Sequence, residues 1–396
     1  MEPILLLVHR LPFPPNKGDK IRSYNLLKFL STRFDVHLAT FIDDDYDWRY
    51  EEKVRSLCKS VSIRPQNKKI STLLSLTGFI SGKALSLSYY ADKKTMAWCK
   101  QTIRSENISK AIVFSSPMAQ FIDNGFDSLQ KIIDFVDIDS DKWLQYSQSK
   151  KWPFSWVYKR EARKLFEYEC YITKQFQKSF FVSEAESKMF KRLCDTESKK
   201  ISHYDNGVDS EYFTYQASLE NPYAIENIIS FSGAMDYWAN VDAVVWFVNK
   251  VMPLILEKVK NARFYIVGSN PSDAVKELDN GENVFVTGRV EDIRQYIQHS
   301  KLSVAPMRIA RGVQNKVIEA LALERPVIAT QAAAEGLKKF DADNVLYIAD
   351  SALDFSSKCI DLLSQEKAHV NTAGREYVLN NYDWNASLKI IESELK

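Results

Sequence analysis

Short apolar runs rich in β-branched and aromatic residues alternate with amphipathic helical stretches almost from end to end of the chain, and no other feature constrains the fold as strongly. Apolar runs of roughly four to eight residues, each followed by a helical stretch, are the pattern of strands buried on both faces of a parallel sheet under crossover helices. The fold class is therefore α/β. In the first half, strands are predicted at 4–8, 36–41, 111–114, 131–135, 179–182 and 200–204, with a helix over 19–33 between the first two. A turn-rich stretch at 206–221 interrupts the alternation, and a second series follows at 228–232, 263–267, 283–286, 302–306, 326–329 and 345–348. Two doubly wound domains are expected, 1–206 and 207–380, with an amphipathic helix at 381–396 crossing back to the first.

Composition agrees with two cores and narrows the partners. A chain of 396 residues, 45% hydrophobic, exceeds what one ordinary core accommodates. With 53 basic and 51 acidic residues it has no global field to hold nucleic acid, so any polyanion site must be local. Five scattered cysteines lack metal-type spacing and read as reduced thiols of a cytoplasmic protein. The first residues, MEPILLLVHRLPFPP, carry an apolar run of only about five residues and no basic lead, so they do not read as a signal peptide. No stretch approaches the roughly 18 apolar residues of a membrane span.

In open parallel sheets, ligands collect beyond the carboxyl ends of strands, where loops run into helix N-termini. After the predicted strand 302–306, Gly312 precedes a helix, and the amides of Val313 and Gln314 are expected to face a phosphate with the helix dipole behind them. Lys316 and Glu319, three residues apart, share one face of that helix. An ammonium there suits a diphosphate and a carboxylate suits the two hydroxyls of a ribose; the competing reading is an ordinary solvent-exposed pair. In the first domain, LPFPPNKGDKIR is stiffened by proline, then flexible at Gly18, then basic at Lys20 and Arg22 just before a helix. The run VDIDSDKW brings Asp137, Asp139 and Asp141 to a strand end, with Ser140 or Asp141 expected as a helix N-cap. His9 and His203 read as core or turn residues.

Four segments, PFPPNKGDKIRSYNLL at 12–27, FSGAMDYWANVDAVVWF at 231–247, VTGRVEDIRQYI at 286–297 and GVQNKVIEALALERPVIAT at 312–330, resemble the retaining glycosyltransferases of family 4, in particular an exopolysaccharide-type bacterial subgroup. The resemblance covers nearly the whole chain. It implies the GT-B fold, two Rossmann-like domains facing each other across a cleft, with domain closure hinged near 206–221. It also implies transfer of a sugar from a nucleotide-diphosphate-sugar donor to a saccharide or lipid-linked saccharide, with no cofactor and no metal. The family's Glu-x7-Glu motif places its ribose-binding carboxylate at Glu319, while Arg311 stands where the first glutamate is usual. Gly233 is expected to approach the donor diphosphate, and Gly288, Arg289 and Val290 the nucleobase. The loop after Gly233 lacks the Arg and Lys that many members carry, so Lys316, with Arg289 or Arg311, is expected to supply the positive charge. Gly18 is carried over as a catalytic position beside the donor, Asp137 is the catalytic candidate among the three strand-end acids, orienting the acceptor hydroxyl or contacting the donor sugar, and Lys20 and Arg22 are acceptor-side candidates.

Two further segments, 64–83 and 150–166, mix basic with aromatic and aliphatic residues and suit contact with the inner leaflet of a membrane, or else are an ordinary loop and surface helix. Two rival functions share the architecture. A nucleotide-sugar 2-epimerase releases no nucleotide diphosphate, and a non-catalytic nucleotide-sugar-binding scaffold turns nothing over.

Overall fold

The computed structural model describes residues 1–310, 312–340, 345–366 and 369–396. Contacts divide the chain into two units, Met1–Tyr204 with Leu388–Lys396, and Asp205–Ser387.

The first unit is built on seven strands: β1 (Glu2–Val8), β2 (Phe34–Ile42), β3 (Ser60–Pro65), β4 (Lys110–Phe114), β5 (Gln130–Val136), β6 (Lys178–Phe181) and β7 (Ile201–His203). They are all parallel, in the order β3-β2-β1-β4-β5-β6-β7. All five residues Ile4 to Val8 are buried, so β1 is covered on both faces, as its unbroken apolar run requires. The strand order reverses between β1 and β4, which puts a switch point at the carboxyl end of β1. The sequence pattern does not reveal β3. Its SVSIRP is half-buried at an edge, where one side of the strand has no neighbour and no apolar run is needed.

The second unit holds β8 (Ile228–Ser232), β9 (Arg263–Val267), β10 (Val284–Gly288), β11 (Leu302–Ala305), β12 (Val327–Ala329) and β13 (Tyr347–Ile348), again all parallel, in the order β10-β9-β8-β11-β12-β13. Its switch point lies between β8 and β11, and its core includes Ile229, Phe231, Phe264, Ile266, Val304 and Ile328.

One helical run, Trp238–Lys258, is after all long and apolar enough to cross a membrane by length and composition. Here it is a core helix: Ala243, Val244, Phe247, Val251 and Ile255 are buried in the second unit. It widens into a π turn at Phe247–Val251, just before Pro253, whose missing N–H deprives the preceding turn of one i to i−4 bond.

The last helix spans Trp384–Leu395, beginning later than the pattern predicts because the residues up to Asn381 complete the preceding helix, Thr372–Asn381. From Leu388 onward it belongs to the first unit, where Gln130 Nε2 donates to the Glu394 carbonyl at 2.7 Å and Lys178 pairs with the Glu394 carboxylate at 2.6 Å.

Candidate active site

At the switch point of the second unit, the sheet ends in a row of close backbone approaches. The Gly268 amide donates to the Gly288 carbonyl at 3.2 Å, and Gly233 donates to the Val267 carbonyl at 3.0 Å. A Cβ on Gly268 would lie 1.7 Å from the Gly233 oxygen, and one on Gly233 would lie 2.7 Å from Asn240 Nδ2. Only glycine lets these loops lie so close. A second approach of this kind holds the loop before the next helix: a Cβ on Gly336 would lie 2.1 Å from the Gly312 oxygen. The expected glycines are thus joined by Gly268 and Gly336, which the sequence reading passed over because their partners are distant in the chain.

Two helix N-termini meet beside this row. Asn240, in the helix Trp238–Trp246, is buried and donates through Nδ2 to the Ala234 carbonyl at 2.9 Å. Its Oδ1 accepts from Lys316 Nζ at 3.1 Å, and that ammonium also lies 5.2 Å from the centre of the Phe231 ring. Lys316 stands in the first turn of the helix Asn315–Ala322, with Glu319 one turn on. Burial holds Lys316 down to about 8 against the pull of Glu319, and burial raises Glu319 to about 7 against the pull of Lys316. Among the described residues the Glu319 side chain has no hydrogen-bond partner, and the charge that acts on it is the Lys316 ammonium. The site is therefore a desolvated cation and a desolvated carboxylate that both change charge near neutrality. Groups so perturbed cluster at functional sites.

The helix begins later than the sequence suggested. Gln314 is its N-cap, so the first-turn amides are those of Asn315 and Lys316, not Val313 and Gln314. Val313 is buried as an anchor, and Gln314 Nε2 turns back to the Gly312 carbonyl at 3.3 Å. Arg308, in the same loop, is held by Asp242. Gly288 closes β10 after a register shift, with Arg289 and Val290 half-buried behind it. Arg311 lies outside the described residues.

The first unit corrects two expectations. Lys20 is buried with its Nζ 2.7 Å from Asp47, and Arg22 is fully buried, its Nε and Nη2 on the two oxygens of Asp134 at 2.7 and 3.2 Å. Arg22 also donates to the Tyr204 carbonyl at 2.9 Å and lies 3.5 Å over the Tyr204 ring. Both side chains face into the fold and tie the helix Gly18–Ser31 to it, so neither is presented to an acceptor. Gly18 is the first residue of that helix, and a Cβ there would meet nothing within 4 Å.

Asp137 follows β5 and takes Lys142 Nζ at 2.7 Å, which also reaches Asp139 at 3.3 Å. The expected N-cap at Ser140 or Asp141 is not used. The helix Asp139–Ser149 starts after Ile138, and the buried Glu169 accepts the Ser140 hydroxyl at 2.5 Å instead. His9, read as a core or turn residue, ends at the β1 switch point with Nε2 3.2 Å from Asp19 Oδ2 and its ring stacked on Phe114. Against the desolvation of burial, hydrogen bonds from His9 and Arg10 hold Asp19 well below the usual carboxylate range. Among the described residues no group of three or more His, Cys, Asp or Glu is placed to hold a metal ion.

Residues 226–365 match the family model described as "Glycosyl transferases group 1". The chain is similar to an uncharacterized 44.6 kDa protein in the cps region of Klebsiella pneumoniae, 20% identical over 370 residues, 89% of each chain. Among solved structures it resembles sucrose-phosphate synthase from Thermosynechococcus elongatus at TM-score 0.68 and 16% identity, over 99% of this chain and 98% of that one. It also resembles HepE of Anabaena in complex with UDP-glucose, at TM-score 0.67 and 14% identity, over 100% and 99%. Residues 226–365 thus carry the group 1 glycosyl transferase match, and over the whole chain the likeness to these solved structures is one of fold, two parallel α/β units of the GT-B type.

Proposed function

We propose that this protein is a retaining, metal-independent hexosyltransferase that moves a sugar from a nucleotide-diphosphate-sugar donor to a saccharide or lipid-linked saccharide in polysaccharide assembly. The observation that carries this reading is the pair of desolvated charges, Lys316 and Glu319, at the N-terminus of Asn315–Ala322 beside the switch point. The Glu319 carboxylate accepts the two ribose hydroxyls. The Lys316 ammonium and the Asn315 and Lys316 amides take the negative charge that grows on the diphosphate as its bond to the sugar C1 breaks. Gly233 gives the diphosphate room against the backbone, and Gly288, Arg289 and Val290 border the base. The acceptor hydroxyl attacks C1 on the face the diphosphate leaves, and its proton passes to a departing phosphate oxygen. Gly18 lies beside the donor, Asp137 orients the acceptor hydroxyl or contacts the donor sugar, and closure about 206–221 excludes water. No cofactor takes part; the nucleotide sugar is a substrate.

Uridine donors are the first to try, since HepE is described in complex with UDP-glucose, and the cps-region relative supports the polysaccharide setting. A thermal-shift screen against UDP, GDP, ADP, CMP and their sugar conjugates should raise the melting temperature with one diphosphate class. That donor should then release its diphosphate once per sugar transferred. Binding without release would favour the scaffold, and an epimerised donor without release the epimerase.

A further inference from the structure

The two basic and apolar segments flagged in the sequence, some 80 residues apart, meet on one face of the first unit. Phe79 stacks on Trp156 with ring centres 6.0 Å apart and planes 5° apart. Arg160 lies 4.7 Å over the Phe79 ring and donates to the Gly78 carbonyl at 2.7 Å. These contacts fix the short helix Thr77–Ser81, which follows Lys68–Ser75, against the start of the long helix Phe154–Gln175.

The helix Lys68–Ser75 is turned inside out. It buries Ser71 and Ser75, with Ser71 accepting from Gln66 Nε2 at 2.9 Å, and it exposes Ile70, Leu73 and Leu74. A helix covering a core in water does the reverse, because burial of the apolar face is what holds it there. The exposed apolar surface continues beyond it: Ile80 is 93% exposed and Trp152 81%, with Phe154 and Trp156 also open to solvent. Apolar surface gathered in this way on a folded chain marks an interaction site. Charge identifies its kind. Residues 64–83 carry four basic side chains and no acidic one, and residues 150–160 do the same, in a chain whose net charge is only +2.

We infer that this face docks on an anionic lipid bilayer, with Ile80, Leu73, Trp152 and Trp156 entering the interfacial region and the surrounding lysines meeting phosphate headgroups. A second copy of the chain is a poor occupant, since a symmetric contact would set two faces with excess basic charge against each other, even with Arg64 and Lys68 paired to Asp92 and Asp43 at 3.7 and 3.9 Å. The inference supplies the proposed transferase with a way to reach a lipid-linked acceptor at the inner leaflet, and it rests on that reading only for its purpose.

Flotation of the full-length protein with vesicles of phosphatidylcholine, with and without phosphatidylglycerol, tests it. The protein should float with the anionic vesicles and be released as salt is raised. Leu73→Ser/Ile80→Ser/Trp152→Ser should abolish flotation. Each of Lys69→Glu, Lys83→Glu and Lys151→Glu should lower the partition coefficient by roughly fivefold or more, on the scale of one lysine at an anionic surface. Melting temperature and its rise with nucleotide are read on every variant. An unchanged nucleotide response beside lost flotation separates this surface from the donor site, and the charge variants decide if the apolar variant does not fold. Wild-type protein that stays in solution with both vesicles, variants that all float like wild type, or a dimer in sedimentation that the apolar variant dissociates would each overturn the inference.

Discussion

Lys316 Nζ lies 3.1 Å from Asn240 Oδ1, so one hydrogen bond joins the first turns of the two helices that follow β8 and β11, on either side of the switch point. A half-buried ammonium with a neutral amide partner keeps its charge available to a ligand, which an ion pair would not allow.

That relationship predicts a narrow pH window for nucleotide binding. With Glu319 on the ribose and Lys316 on the diphosphate, as proposed, binding needs Glu319 ionised and Lys316 protonated, hence a pH above about 7 and below about 8. Affinity measured by calorimetry should peak between these values and fall about tenfold per unit on either side. The unliganded protein shows the opposite sign. Glu319 is raised above its unfolded value, so the stability it contributes is lost as pH rises towards about 7. Lys316 is depressed, so its contribution is lost as pH falls through about 8. The rise in melting temperature with nucleotide should therefore be largest between the two.

Glu319→Gln should weaken nucleotide binding by about tenfold or more, since a charged hydrogen-bond partner is worth roughly 1.5–3 kcal/mol. The melting temperature of the unliganded protein should hold or rise, because the substitution removes a desolvated carboxylate that has no hydrogen-bond partner among the described residues. Wild-type affinity in this variant would remove Glu319 from the ribose site.

Gly268→Ala should cost about 3 kcal/mol in urea unfolding, because its Cβ would fall 1.7 Å from the Gly233 carbonyl oxygen at a backbone angle that side chains rarely adopt. Gly18→Ala meets no atom within 4 Å and should keep full stability. A fall in turnover there without a fall in melting temperature would show that a substrate occupies the space the methyl fills.

Arg22→Ala should destabilise the protein by about 3–5 kcal/mol, since it strands the buried carboxylate of Asp134. Lysine should not restore it, because the contact uses two guanidinium nitrogens on two oxygens. Chemical denaturation reads the loss. A stable variant with a raised acceptor KM would return Arg22 to the acceptor site.

The residues legible in advance are those whose chemistry is local. The Lys316 and Glu319 pair follows from helical spacing, and Gly312 from its place before a helix. Lys20 and Arg22 misled for the complementary reason: basic residues at a helix start look like a phosphate site until their partners are known. Those partners, Asp47 and Asp134, lie 27 and 112 residues away. Gly268 and Gly336 escaped notice because each is required by a carbonyl on another loop.

The sequence by itself determined the α/β class, every strand among the described residues except β3, and the helix that carries the charged pair, because strand and helix periodicity are written in neighbouring residues. Tertiary structure decided the strand order, which basic side chains are internal ties, and where the helix amides begin. It also decided that Lys316 and Glu319 are desolvated enough to titrate near neutrality, and that Phe79 and Trp156 bring two apolar segments onto one face. Burial and partnership depend on atoms contributed from far along the chain, and no local pattern encodes them.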